Sequence, residues 1–376
     1  MAPQLHCPVS PSQGAMNFRT RIATMSMHNH APRRARFESL ESRQMLAGDV
    51  LVSVVEGRLI VEGDQFDNNI AITAGTEAGA FVVTGRDNTT VHEQGQAPGT
   101  EVVVTGVERG ARINMGAGAD TVALSDLSLR GHVSISTGVG DDEVIVGGDN
   151  VQQTALTTIE ASVRLRDLSI NTGENDDHVT VGSAAIHGFL NIQTGIGNDT
   201  VALGGAADPA ANLTIPLPDN GLSDARLQVH GAAHVALGEG NDDIHVNHAR
   251  AFAMFIFGHD DVDTASIESS HIGHLGMFMG DGEDNVSLVD SAFATLAVSL
   301  GGGNDQLSTG GLTAHFAVLL GGDGEDTHNV LAASEFRHEL IRGFELPPGV
   351  VNTILRPRFG RPLNVLSALG SGLLRR

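Results

Sequence analysis

The sequence predicts an all-β fold, a right-handed parallel β-helix or β-roll-type solenoid with coils of about 21–22 residues. Three observations carry that prediction. The motif Gly-x-Gly-x-Asp occurs seven times, where composition alone would give fewer than one. The aspartates that close it recur at a nearly fixed interval. Short segments of alternating apolar residues lie on either side of each motif, and such period-two patterning marks strands with one buried face.

The motif's glycines are Gly116 and Gly118, Gly138 and Gly140, Gly195 and Gly197, Gly238 and Gly240, Gly280 and Gly282, Gly301 and Gly303, and Gly322 and Gly324. Two altered copies keep the frame, Gly173-Glu174-Asn175-Asp176-Asp177 and His259-Asp260-Asp261-Val262-Asp263. The closing residues are Asp120, Asp142, Asp177, Asp199, Asp242, Asp263, Asp284, Asp305 and Asp326, separated by 22, 35, 22, 43, 21, 21, 21 and 21 residues. The 35 reads as one coil plus a surface loop within 148–166. The 43 reads as two coils with one turn lost near Pro216–Asp224. A fixed period over such a length implies stacked units, each burying its apolar face only against its neighbours and needing caps at the ends.

Each unit runs strand, turn, strand. His132-Val133-Ser134-Ile135-Ser136 leads into one turn, and Val144 and Val146 follow it as the inward residues of the next strand. Residues 48–110 resemble degenerate coils or a cap, and Leu59–Ile72 echoes the unit with an altered turn. The polar interval 87–100 reads as a loop. Residues 111–334 form the repeat body, and 335–376, basic and containing Pro347-Pro348, form a C-terminal cap or tail.

Composition narrows the function. Aromatic residues make up 4% of the chain, with no Trp or Tyr, so thin repeated layers suit it better than one thick core. No Lys is present. Of the 22 Arg, 13 fall in 1–47 and 331–376, which leaves nine against 40 acids in 48–330. A body that acidic repels nucleic acid and attracts cations. The single cysteine, Cys7, lies in the leading segment, so no disulfide framework stiffens the body. No run reaches transmembrane length.

Stacked coils repeat every ~4.8 Å. Aspartates in register at that spacing repel by about 0.9 kcal/mol per neighbouring pair in water, and by more where the dielectric is lower. Calcium would relieve this, because it takes six to eight oxygen ligands, including carboxylates and backbone carbonyls. The alternative is that Gly, Asn and Asp serve only as turn formers, in a metal-free solenoid.

Gly195-Ile196-Gly197-Asn198-Asp199-Thr200-Val201 and Gly301-Gly302-Gly303-Asn304-Asp305-Gln306-Leu307 resemble the RTX (hemolysin-type) calcium-binding repeat. The resemblance implies Ca2+ held between turns by the nine aspartates and by carbonyls of the fourteen motif glycines named above. That family places a turn every nine residues, however, whereas this chain has one per 21–22, so calcium is expected on one edge only. The family's leading glycine is also replaced here by Met115, Thr137, Thr194, Leu237, Met279 or Leu300.

Before the repeats, Arg33-Arg34-Ala35-Arg36-Phe37-Glu38-Ser39-Leu40-Glu41-Ser42-Arg43-Gln44-Met45-Leu46-Ala47 resembles the export motif of planctomycete extracellular proteins. It implies export, removal of 1–47, and a secreted or cell-surface protein. The expected function is structural or adhesive and not enzymatic, with calcium and an extracellular matrix or cell-surface polymer as partners.

A carbohydrate-active β-helix, a polysaccharide lyase or hydrolase, is the alternative. Against it, the body lacks Lys and Tyr, and its carboxylates sit on the repeated turn. The pairs His245/His248 and His271/His274 are spaced to face opposite sides of a strand, not to converge on a metal.

Overall fold

The computed structural model describes residues 48–147, 162–204 and 226–345. The described residues belong to one compact unit. Regular structure among the described residues is entirely β, in one sheet of 14 strands and one of 12. None of it is a helix long and apolar enough to cross a membrane.

From Gly110 onward each coil gives one strand or strand pair to the larger sheet and one short strand to the smaller. Leu127–Val139 followed by Glu143–Val146 is representative. The alternation seen in the sequence becomes columns of identical depth. Val122, Val144, Val179, Val201 and Ile244 pair in parallel register on the smaller sheet. Ile113, Ile135, Ile170, Ile192 and Val235 do the same on the larger. All ten are at most 1% exposed. β-Branched side chains stacked this way fill a narrow core without aromatic anchors.

The 43-residue interval differs from expectation. Gly195 pairs directly with Gly238, and Thr200 with Asp243, so Asp199 and Asp242 belong to consecutive coils. No coil stands between them, and the additional residues, 205–225, lie outside the described residues. Spacing alone cannot separate a degraded coil from an insertion of one coil's length. The prolines at 209, 216 and 218 favour insertion, since proline cannot donate to a ladder. The 35-residue interval is one coil plus extra chain, as expected: Gly138 pairs with Gly173. Most of the expected loop, 148–161, is outside the described residues.

The N-terminal region is mostly hairpins. Arg58–Glu62 and Asn69–Ala74 form the first coil, pairing in parallel with Gly110–Ala117 and Thr121–Leu124. Asp49–Val55 adds antiparallel to Arg58–Glu62, and Phe81–Arg86 lies antiparallel between Asn69–Ala74 and Glu101–Val104. The expected loop at 87–100 contains a strand, Thr90–Glu93, parallel to Asp49–Val55 and anchored by the fully buried Val91. One apolar residue among polar neighbours was too weak a pattern to show it. At the other end, Glu335–Arg342 extends the larger sheet by one further strand beside Thr313–Asp323. The rest of the expected C-terminal cap, 346–376, lies outside the described residues.

Candidate functional site: the aspartate ladder

The turn that joins the two strands of each coil returns to the same edge every time, and this brings all nine aspartates into one row. Each is at most 3% exposed. The backbone N–H of each of the first eight donates to Oδ1 of the aspartate in the following coil. The distances run from 2.7 Å for Asp199 to Asp242 up to 3.0 Å for Asp305 to Asp326. The carboxylates therefore hold neighbouring coils in register.

One rung is not aspartate. Asn68 occupies the same position in the first coil, donating its N–H to Asp120 Oδ1 at 2.7 Å, while its own Nδ2 donates to the Phe66 carbonyl at 2.6 Å. The pattern Gly63-(x)4-Asn68 matches Gly258-(x)4-Asp263 and Gly321-(x)4-Asp326. That match is the sequence signal for the rung, although the hairpin region separates it from the next copy.

Oδ2 of all nine aspartates is buried with no hydrogen-bond partner among the described residues. Isolating carboxylate charge from water is costly, and the proton is the simplest relief. Burial pushes the carboxyls of Asp120, Asp177, Asp242 and Asp263 from the ordinary 3.8 up to about 7. It pushes Asp284 to about 6. Asp142, Asp199 and Asp305 rise for the same reason. Neighbouring acids add to the shift in most rungs, and the backbone N–H donated to each Oδ1 opposes it.

In five coils the residue five positions before the aspartate borders its carboxyl. The buried hydroxyls of Thr137, Thr172 and Thr194 act on Asp142, Asp177 and Asp199, lowering each carboxyl against the effect of burial. Thr137 and Thr172 also donate to the carbonyls of Thr172 and Thr194 in the next coil, at 3.3 and 3.1 Å. Met115, Leu237, Met279 and Leu300 hold the equivalent position in their coils and are fully buried. At Gly258 and Gly321 a Cβ would collide with Oδ2 of Asp263 and Asp326.

The motif glycines answer to the stack. Gly138 and Gly140 have φ of 118° and 136°, and a Cβ on either would overlap the carbonyl oxygen of Gly116 or Gly118 in the preceding coil. Close approach of coils is thus what the glycines permit, and their carbonyls face the next coil's glycine. In the altered turns Asn175, His259 and Asp261 take positive φ of 83°, 89° and 81°. These are residue types that tolerate it best after glycine.

Outside the ladder the same edge carries exposed polar residues in a second row. Asn198 N–H donates to Asp176 Oδ1 at 2.8 Å, Asn241 N–H to Asn198 Oδ1 at 3.1 Å, and Val262 N–H to Asn241 Oδ1 at 3.0 Å. Tested against calcium, the donors form a column of single carboxylate oxygens, joined by a hydroxyl in three coils. Among the described residues no group of three or more acidic, His or Cys side chains converges as a metal centre.

The histidine pairs behave differently from the strand rule. His271 and His274 are both exposed, with Ile272 and Leu275 buried. Gly273 interrupts the strict alternation, so both rings point to solvent. His245 Nε2 lies 3.0 Å from Asp243 Oδ2 on the smaller sheet.

A family model described as planctomycete extracellular matches residues 32–50, ending where the first described strand begins at Asp49. No curated protein and no solved structure matches the chain. The match supports an extracellular location for a β-solenoid.

Proposed function

We propose that the chain is an exported, non-catalytic structural or adhesive solenoid whose aspartate ladder is its stiffener. The observation that carries the reading is the uninterrupted row of buried carboxylates, each with one oxygen accepting the backbone N–H of the preceding coil's rung and one left unpartnered. Such a row needs a counter-charge, and calcium in an extracellular medium can supply it. Asp142, Asp177 and Asp199 are the rungs best suited to hold the ion, because a threonine hydroxyl adds a second oxygen beside each carboxyl. Anything that binds the folded chain alone raises its stability by mass action.

A second reading has its own support. The apolar side chains of Met115, Leu237, Met279 and Leu300 leave a proton as the natural counter-ion in their coils, which makes a metal-free solenoid self-consistent.

Thermal unfolding at neutral pH, followed by circular dichroism with calcium and with chelator, separates the two. A clear calcium-dependent rise in melting temperature supports calcium as stiffener. Identical melts in calcium, magnesium and chelator eliminate it and leave the proton.

A further inference from the structure

The larger sheet presents an outer face whose chemistry opposes that of the turn edge. Of the nine Arg in residues 48–330, Arg130, Arg164, Arg166 and Arg250 point outward on the half of the sheet away from the turns. Among the described residues, this half of the sheet from Leu127 to His338 carries two acids, Asp167 and Glu335. Asp167 is turned inward at 9% exposure, paired with Arg166 at 3.4 Å and accepting the Phe189 N–H.

Rings occupy much of the remaining surface. His187 and His230 stack at 5.2 Å and 6°, and Phe316 and His338 at 5.0 Å and 16°. Stacking along the coil axis turns the ring faces toward each other and their edges toward solvent. A ring edge is the positive rim of its quadrupole, so these two pairs favour anions, whereas Phe252 and His274 meet edge to face at 5.4 Å and 72°. The turn edge is the reverse, with exposed Asp141, Glu174, Asp176, Asp261, Glu283 and Glu325.

We propose that this face receives the acidic turn edge of a second copy of the chain, in a side-to-edge contact. Charge complementarity favours the pairing, and the spacing favours it further. Both surfaces repeat once per coil, at the same ~4.8 Å, so every coil of one copy can meet a coil of the other in register. Because two different surfaces meet, the contact is heterologous and each copy keeps a free face and a free edge, which permits continued assembly. The inference does not depend on calcium.

The test is sedimentation velocity of the full chain in chelator across concentration and salt. Wild type should exceed monomer mass at low salt and return to monomer at high salt, where screening shortens the reach of charge. R130E/R164E reverses exposed charge on the face, and D141R/E174R reverses it on the edge. Each alone should weaken association at least tenfold, and an equimolar mixture of the two should restore it, a rescue that requires both to be folded. A wild type that is monomeric at every salt, variants that associate like wild type, or a mixture that stays monomeric would overturn the proposal. So would binding of polygalacturonate to the face without self-association, which would make an acidic polysaccharide the partner.

Discussion

The backbone N–H of Asp199 bonds Oδ1 of Asp242 at 2.7 Å, although 43 residues separate them in the chain. The same geometry joins Asp142 to Asp177 across 35 residues and Asp177 to Asp199 across 22. The ladder is indifferent to how much chain leaves the stack between two rungs.

Excision of 205–225 should therefore be tolerated. Joining Gly204 to Arg226 gives Leu203-Gly204-Arg226-Leu227, which superposes in register on Val181-Gly182-Ser183-Ala184. The circular dichroism spectrum is expected to stay unchanged and the melting temperature to stay within a few degrees. Loop length adds only a slowly growing entropic cost, about 0.6 kcal/mol per doubling. A variant that fails to fold would show that the removed segment is part of the stack.

The ladder should give the protein an unusual response to pH in chelator. Asp120, Asp177, Asp242 and Asp263 hold a proton up to about pH 7 when folded, against 3.8 ordinarily. The folded state thus binds more protons than the unfolded state between those values, so stability falls as pH rises through that window. The contribution is fully present below about pH 4 and gone above about pH 7. Urea midpoints measured at pH 5 and pH 8 in chelator should be higher at pH 5. Equal midpoints would mean the carboxylates are ionised and compensated at both.

Asp263→Asn and Asp263→Ala separate the charge from the hydrogen bond. Asn retains the acceptor for the Asp242 N–H and removes the charge, and an Asn already stands uncharged in the first rung at Asn68. Ala leaves that N–H buried and unpaired, at a cost of about 1–3 kcal/mol. Denaturant melts at pH 8 should rank Asp263→Asn well above Asp263→Ala. The Asn variant should also show a shallower pH dependence than wild type.

Gly138→Ala tests the close stacking of coils. Its φ of 118° and the overlap with the Gly116 carbonyl leave an added methyl no room. The loss should exceed about 1 kcal/mol, in line with strained backbone positions. Gly99→Ala is the control, since the nearest atom to its new Cβ would be the Val91 oxygen at 3.9 Å. Matching melts for the two variants would remove the stacking argument.

The turn motif, its period and the apolar alternation of strands such as Ile135 and Val144 were enough to establish a parallel solenoid and to place nine aspartates on one edge. Those features are local, and a repeat translates local pattern directly into stacking. Pairing across gaps was beyond the sequence. That Asp199 neighbours Asp242, that Thr90–Glu93 is a strand, and that His271 and His274 both point to solvent all depend on which segment lies alongside which. The tertiary structure also decided the electrostatics. An aspartate in a turn reads as a solvated ligand, and only the stacking of coils buries both its oxygens, bonds one to the backbone of the preceding rung and leaves the other in need of a proton or a cation.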